Sequence, residues 1–200
     1  MNDLQRRLNA FFDAPRSDFA QFSERLESSV IQLTAKNDSK SQVLRPIRPE
    51  DEPAMRRFHT LFSEKSVYER YFKHFILEGR IDHRRLFQIC TNSSDFFVLV
   101  VEHHKGHRQP AEILAVGHLT NMDESNIEAF ALLMRDDASD HGFDLIMRRR
   151  LIVLARTSGL KLLVDDNPIS NQDLLNFCKK LGFSLHTIPD KGIVRVCLSL

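Results

Sequence analysis

From residue 43 onward the apolar residues of this chain keep changing their period, and glycines, prolines or acids mark many of the changes. Alternation of strand-like and helix-like stretches is the pattern of a sheet with helices packed on it. Residues 43–48 read as a short strand. Pro49, Glu50, Asp51 and Glu52 supply the proline and acids of a first helical turn that runs to about residue 61. One or two further helices follow over 63–77 and 82–90. Strands are expected over 96–102, 111–120 and 127–134, a central meander whose first loop holds Gly106 and Pro110. Leu145, Ile146, Arg149, Ile152 and Val153 then give a helix that stops at Gly159, a residue suited to the left-handed C-terminal position. A strand over 161–165 and a helix over 171–181 closed by Gly182 come next. A hairpin of 183–188 and 193–198 about Pro189, Asp190, Lys191 and Gly192 ends the chain.

The first 42 residues have another character. Leu4, Leu8 and Phe11 recur at helical spacing and Pro15 interrupts them. Ser17 can cap a second helix carrying Phe19, Phe22, Leu26, Val30 and Leu33 on one face. Residues 36–42 are polar and aperiodic, which makes them the linker. The expected organisation is therefore a helical arm and linker over 1–42 and one domain over 43–200. The arm's apolar face calls for cover, from its own domain, from a second copy in a homodimer, or from a protein substrate or partner.

Bulk properties narrow the classes. At 42% hydrophobic and 28% charged, 200 residues can bury one sizeable core. Lys and Arg number 28 against 27 Asp and Glu, a net charge of +1, so nucleic acid is not an expected partner. No stretch approaches the ~20 apolar residues of a membrane span, and a cytoplasmic location is expected. Cys90, Cys178 and Cys197 lie far apart with no C-x-x-C spacing, which indicates neither a zinc site nor a disulfide framework. His103, His104 and His107 crowd one loop and could bind a metal, but a loop of histidines and lysine is more often just exposed, and no metal is expected.

The order strand, two or more helices, three strands, helix, strand, helix, two strands resembles that of the GNAT superfamily of acyl-CoA-dependent N-acyltransferases. Local sequence agrees. Residues 44–51 (LRPIRPED), 63–72 (SEKSVYERYF) and 134–137 (MRDD) look like the protein-lysine acetyltransferase branch often fused to ADP-forming acyl-CoA synthetases. Residues 171–183, ending Leu181-Gly182-Phe183, are similar to the superfamily's last helix and the Gly-Phe after it. The resemblance covers nearly all of 43–200. It implies an α/β (α+β) GNAT fold, with a central mixed, mostly antiparallel sheet flanked by helices. The N-terminal helical arm falls outside it.

The resemblance also implies a site for acetyl-CoA, built by Leu133, Met134 and Arg135 at the strand end and by residues 138–144 at the start of the long helix. In the related branch that loop reads Gln-Gly-Arg-Gly-x-Gly, whose backbone N–H groups take the pyrophosphate. Here Ser139, Asp140, His141, Gly142, Phe143 and Asp144 stand in it. One glycine survives as Gly142, while Asp140 and Asp144 replace two others. Each adds a negative charge where phosphates would sit, although carboxylates also cap helix starts. Acetyl-CoA binding is thus expected to be weakened or lost.

The branch's general base is a Glu on the preceding strand, and Ala129 occupies its place. Glu128 is one residue off, which alternation points to the opposite face unless a bulge intervenes. Cys178 stands where many GNAT enzymes carry the Tyr that protonates the leaving thiolate, or is a packed thiol. Asn171 matches an Asn that contacts the pantetheine arm, or caps its helix. Arg148, Arg149 and Arg150 are candidates for the adenosine phosphate, and Tyr68, Arg70 and Tyr71 for the substrate entrance. The functions implied are a weak or inactive acetyltransferase homologue with a binding or regulatory role, or an active N-acyltransferase of protein lysine or small amines with a reshaped site.

Overall fold

A computed structural model describes residues 31–33, 42–71, 74–91, 96–105, 110–121, 127–158 and 160–200. Among these residues the strands form one eight-stranded sheet: β1 (Ile31–Leu33), β2 (Gln42–Pro46), β3 (Phe96–His103), β4 (Glu112–Asn121), β5 (Ile127–Met134), β6 (Leu162–Pro168), β7 (Ser184–Ile188) and β8 (Ile193–Ser199). The spatial order is β1-β2-β3-β4-β5-β6-β8-β7. Every pairing is antiparallel except β5 with β6. The sheet is therefore mixed and mostly antiparallel, as expected.

The run Phe96-Phe97-Val98-Leu99-Val100-Val101 shows why the sheet is covered on both faces. All six side chains are buried, and strand alternation sends them to opposite sides. Phe97, Leu99 and Val101 join one core with Phe130, Met147, Leu151 and Cys178. Phe96, Val98 and Val100 join the other with Ile47, Met55, Phe58, Leu86 and Ile89. The second core lies under α1 (Glu52–Thr60) and α4 (His83–Ile89), near α2 (Glu64–Tyr71) and the short α3 (Leu77–Arg80). The first lies under α5 (Phe143–Thr157) and α6 (Gln172–Lys180). Gly117 of β4 lets α5 settle close: a Cβ there would come within 2.9 Å of Leu151 Cδ1 and 3.1 Å of Met147 Cε.

Burial of a charged group fixes the start of the domain. Arg45 is 3% exposed. Its Nη1 and Nη2 donate to Asp51 at 2.7 and 2.8 Å, and its Nε donates to Glu102 at 2.6 Å. Asp51 also accepts from the Arg48 N–H at 2.8 Å. The motif Arg45-Pro46-Ile47-Arg48-Pro49-Glu50-Asp51 thus closes on itself, binding β2 to the first helical turn and to β3.

Three expectations change. His103 is not on an exposed loop: it ends β3 and is 6% exposed. Leu33 belongs to no helix: residues 31–33 pair with Leu44, Val43 and Gln42 as an edge strand. A ladder of backbone hydrogen bonds outweighs the local helical spacing there. The strand expected to stop at residue 165 runs on to Pro168, because β8 pairs with it along its whole length. The rest of the arm, His107 and Gly159 lie outside the described residues. No helix among the described residues is long and apolar enough to cross a membrane.

Candidate functional site

Parallel pairing between β5 and β6 lasts for three residues, Ile127 with Leu162, Glu128 with Leu163 and Ala129 with Val164. Beyond that the strands part, and a cavity of about 310 Å³ opens between their C-terminal ends. The outer ends of parting parallel strands are where sheets of this kind hold ligands, and the volume is at the lower end of small-molecule sites. The walls are Ala131, Leu132, Leu133 and Met134 of β5, Asp165 to Pro168 of β6, Asp144 and Arg148 of α5, Asn171 and Leu174 of α6, and Ser66 and Arg70 of α2.

The helix starts aim at this cleft. A 3-10 turn, Asp136–His141, leads into Gly142, whose φ of 72° places it in the left-handed region; a Cβ there would meet nothing within 4 Å. The approach that glycine allows is intact at this point. Asp144, in the first turn of α5, turns its side of the helix to the cleft. Asn171 caps α6, its Oδ1 accepting from the Leu174 N–H at 3.3 Å. Asp136 accepts from the Ser66 hydroxyl at 2.6 Å and from the Ser63 N–H at 3.3 Å, tying the turn to α2.

The inner end of the cleft is charged and buried. Arg148 is 3% exposed, its guanidinium carbon 4.8 Å above the Phe130 ring and its Nη1 4.0 Å from Asp165 Oδ2 and from Cys178 Sγ. Burial pushes the Asp165 carboxyl up to about 6, against the downward pull of Arg148, Arg70 and Asn167. Asp166, on the other face of β6, is spent on Arg195 of β8 through bonds of 2.7 and 2.9 Å. Arg70 donates to His118 Nε2 at 3.2 Å. Burial, with Arg70 and Arg85 nearby, holds that imidazole well below its ordinary pKa, so it is neutral. A guanidinium can only donate, so Nε2 is the unprotonated nitrogen.

Of the residues singled out in the sequence, Leu133, Met134, Asp144 and Asn171 converge on the cleft. Arg135 does not: its guanidinium is held by Asp137 at 2.6 and 2.8 Å and by Glu112 at 3.0 Å, beside α1. Phe143 is a core residue, 2% exposed. Ser139, Asp140 and His141 sit in the 3-10 turn. Glu128 sits opposite Asn121, and the β4–β5 register runs unbroken from there to Met134, so no bulge re-phases the strand. Cys178 is fully buried in the core, its thiol pushed above its ordinary range by burial; it packs, and does not line the cavity. Arg148 faces the inner cleft. Tyr71 is buried, its hydroxyl accepting from Arg85 at 3.1 Å, while Tyr68 is 51% exposed.

Asp165 and Asn167 escaped the sequence reading. The signal was there: Asp165-Asp166-Asn167 are three polar residues continuing an apolar strand, all 4–5% exposed. An acyl-CoA is the ligand this cleft implies in the family it resembles. At the helix start, where the resemblance would put its pyrophosphate, the Asp144 carboxylate faces the cleft.

This architecture is the GNAT acyltransferase fold. The GNAT domain of S. lividans PAT superposes with a TM-score of 0.72 over 86% of this chain and 98% of that one, at 16% identity. An N-acetyltransferase from Staphylococcus aureus Mu50 gives 0.60 at 18% identity, covering 79% of this chain and 98% of that one. In sequence the chain is 26% identical over 160 residues to Acetyltransferase PA5475 of Pseudomonas aeruginosa, 77% of this chain and 81% of that protein. No family model matches the chain.

Proposed function

We propose that this chain is a GNAT-fold N-acetyltransferase homologue that is weak or inactive in acyl-CoA-dependent transfer and serves as a binding or regulatory module. The observation that carries this is Asp144, whose carboxylate lines the cleft in the first turn of α5, where backbone N–H groups would otherwise receive an anion. A like-charge contact there opposes a pyrophosphate by about 1–3 kcal/mol. With Asp140 added, the loss in affinity reaches roughly a hundredfold. Ala129, where the branch's base would stand, is a buried methyl.

Isothermal calorimetry of the full chain with acetyl-CoA and CoA at low salt tests this. The wild type is expected to show no binding at micromolar concentrations, and Asp140→Gly/Asp144→Gly to gain it. Micromolar binding by the wild type would overturn it in favour of a second reading, an active N-acyltransferase of protein lysine or small amines. That alternative rests on Asp165, a buried carboxyl in the cleft that titrates near 6 and can accept a proton from an amine once ionised. Its rate would rise as pH passes about 6.

The arm of residues 1–42 supplies the partner surface in this proposal, holding a second copy or a protein partner. Residues 31–33 are part of the sheet, so the informative truncation removes residues 1–30. Gel filtration should show a smaller oligomer after truncation; an unchanged oligomeric state removes the arm from the interface.

A further inference from the structure

The inner end of the cleft carries more hydrogen-bond donors than its own side chains use. Arg148 and Asn167 are 3% and 5% exposed and line the cavity, yet Arg148 Nε has no hydrogen-bond partner and the Asn167 amide reaches only the Asp165 carboxyl beside it. Buried donors are nearly always paired, and leaving one without an acceptor is costly. Arg148 Nε, with the amide N–H of Asn167 that Asp165 does not take, marks a place for a ligand's acceptors. Arg70 is a third source of donors. His118 takes one of its N–H groups and the Tyr71 ring lies 5.6 Å from its carbon. Among the described residues, no carboxylate lies within ion-pair distance of it.

Charge points the same way. Arg148 and Arg70 both act on Asp165, the one carboxyl between them, and Asp166 is taken by Arg195. Asp165 offsets one of the two guanidiniums at the inner end and leaves the other to an anion. Asp144 stands one helical turn before Arg148 and also lines the cleft, so a dianion would meet more repulsion than a monoanion. A guanidinium fork matches the plane of a carboxylate. The rest of the wall, Ala131, Leu133, Met134 and Leu174, is apolar.

We propose that the inner cleft binds a small organic carboxylate, with Arg70, Arg148 and the Asn167 amide on its oxygens and its apolar body against β5 and Leu174. This deepens the binding-module proposal and rests on it in one respect, that the cleft is free of CoA.

The test is calorimetry of the full chain with 4-methylvalerate, with isoamylamine and inorganic phosphate as counterparts and acetyl-CoA in parallel. The carboxylate should bind while the amine and phosphate do not. Arg70→Gln and Asn167→Asp, checked for an unchanged circular dichroism spectrum, should each weaken it at least about tenfold. No carboxylate binding, tighter binding of phosphate, or an affinity unchanged in both variants overturns the assignment. Acetyl-CoA binding beside carboxylate binding overturns only the loss of CoA; acetyl-CoA binding without it overturns both.

Discussion

Replacing Arg45 with Met should cost the domain about 3–5 kcal/mol, the range for breaking a buried ion cluster from one side. The variant keeps the length and apolar stem of the side chain, so packing is largely preserved. What it removes is the partner of two carboxylates, Asp51 at 8% exposed and Glu102 beside it on β3. Burial works against the Arg45 charge, but its hydrogen bonds to both acids outweigh that and raise its pKa. The Arg45 hydrogen bond in turn holds the Glu102 carboxyl below its ordinary range. Without the guanidinium, the two acids must either take up protons or pull water into the β2–β3 seam. Urea denaturation of Arg45→Met should therefore show an earlier midpoint, and adding Asp51→Asn with Glu102→Gln should recover part of the loss. A cost below about 1 kcal/mol, the range for exposed pairs, would mean that water already reaches the cluster.

Phe130→Ala is expected to be as damaging, about 3–5 kcal/mol, the typical cost of emptying an aromatic core position. Phe130 is fully buried, stacked on Phe183 with ring centroids 5.9 Å apart. It sits in β5 immediately after the last residue that pairs with β6, so it plugs the root of the cleft. Its other role is to seat Arg148, whose guanidinium lies over the ring. Phe130→Leu should fold with a smaller loss and still weaken ligand binding at the inner cleft, since Arg148 loses its platform. Denaturation curves and calorimetry on the two variants separate these effects. A Leu variant that binds carboxylate as the wild type does would show that the ring supports the core alone.

Much of this fold is written locally. Gly182 ends α6 with Phe183 N–H bonded to the Cys178 carbonyl at 3.1 Å, and the Gly192 turn closes the last hairpin; such chemistry acts within a few residues, so it can be read from sequence. The doubly buried β3 announces itself by its unbroken apolar run. The site was harder to read for a physical reason. Asp166 and Asn167 lie beyond the expected strand end until the register of β6 with β8 puts Arg195 opposite Asp166, and Asp165 shows no role until α5 brings Arg148 over from another element. Asp165 and Asp166 are buried against partners 17 and 29 positions away, and nothing local records those partners. Leu33 failed for the same reason in reverse: its helical spacing is local, whereas its pairing with Gln42 is not. The left-handed backbone at Gly142 was legible, because a glycine's freedom is a property of a single residue.

The parting of β5 from β6 gives the molecule an unusual kind of boundary. Most sheets expose their unpaired backbone at the rim, whereas here residues 130–134 and 165–168 present theirs to each other across a gap in the middle. An occupant of that gap has the unpaired edges of two strands beside it as well as the side chains that wall it. An extended molecule can therefore bond to backbone on either side. The side chains choose the chemistry of the guest, but the fold has already chosen its shape.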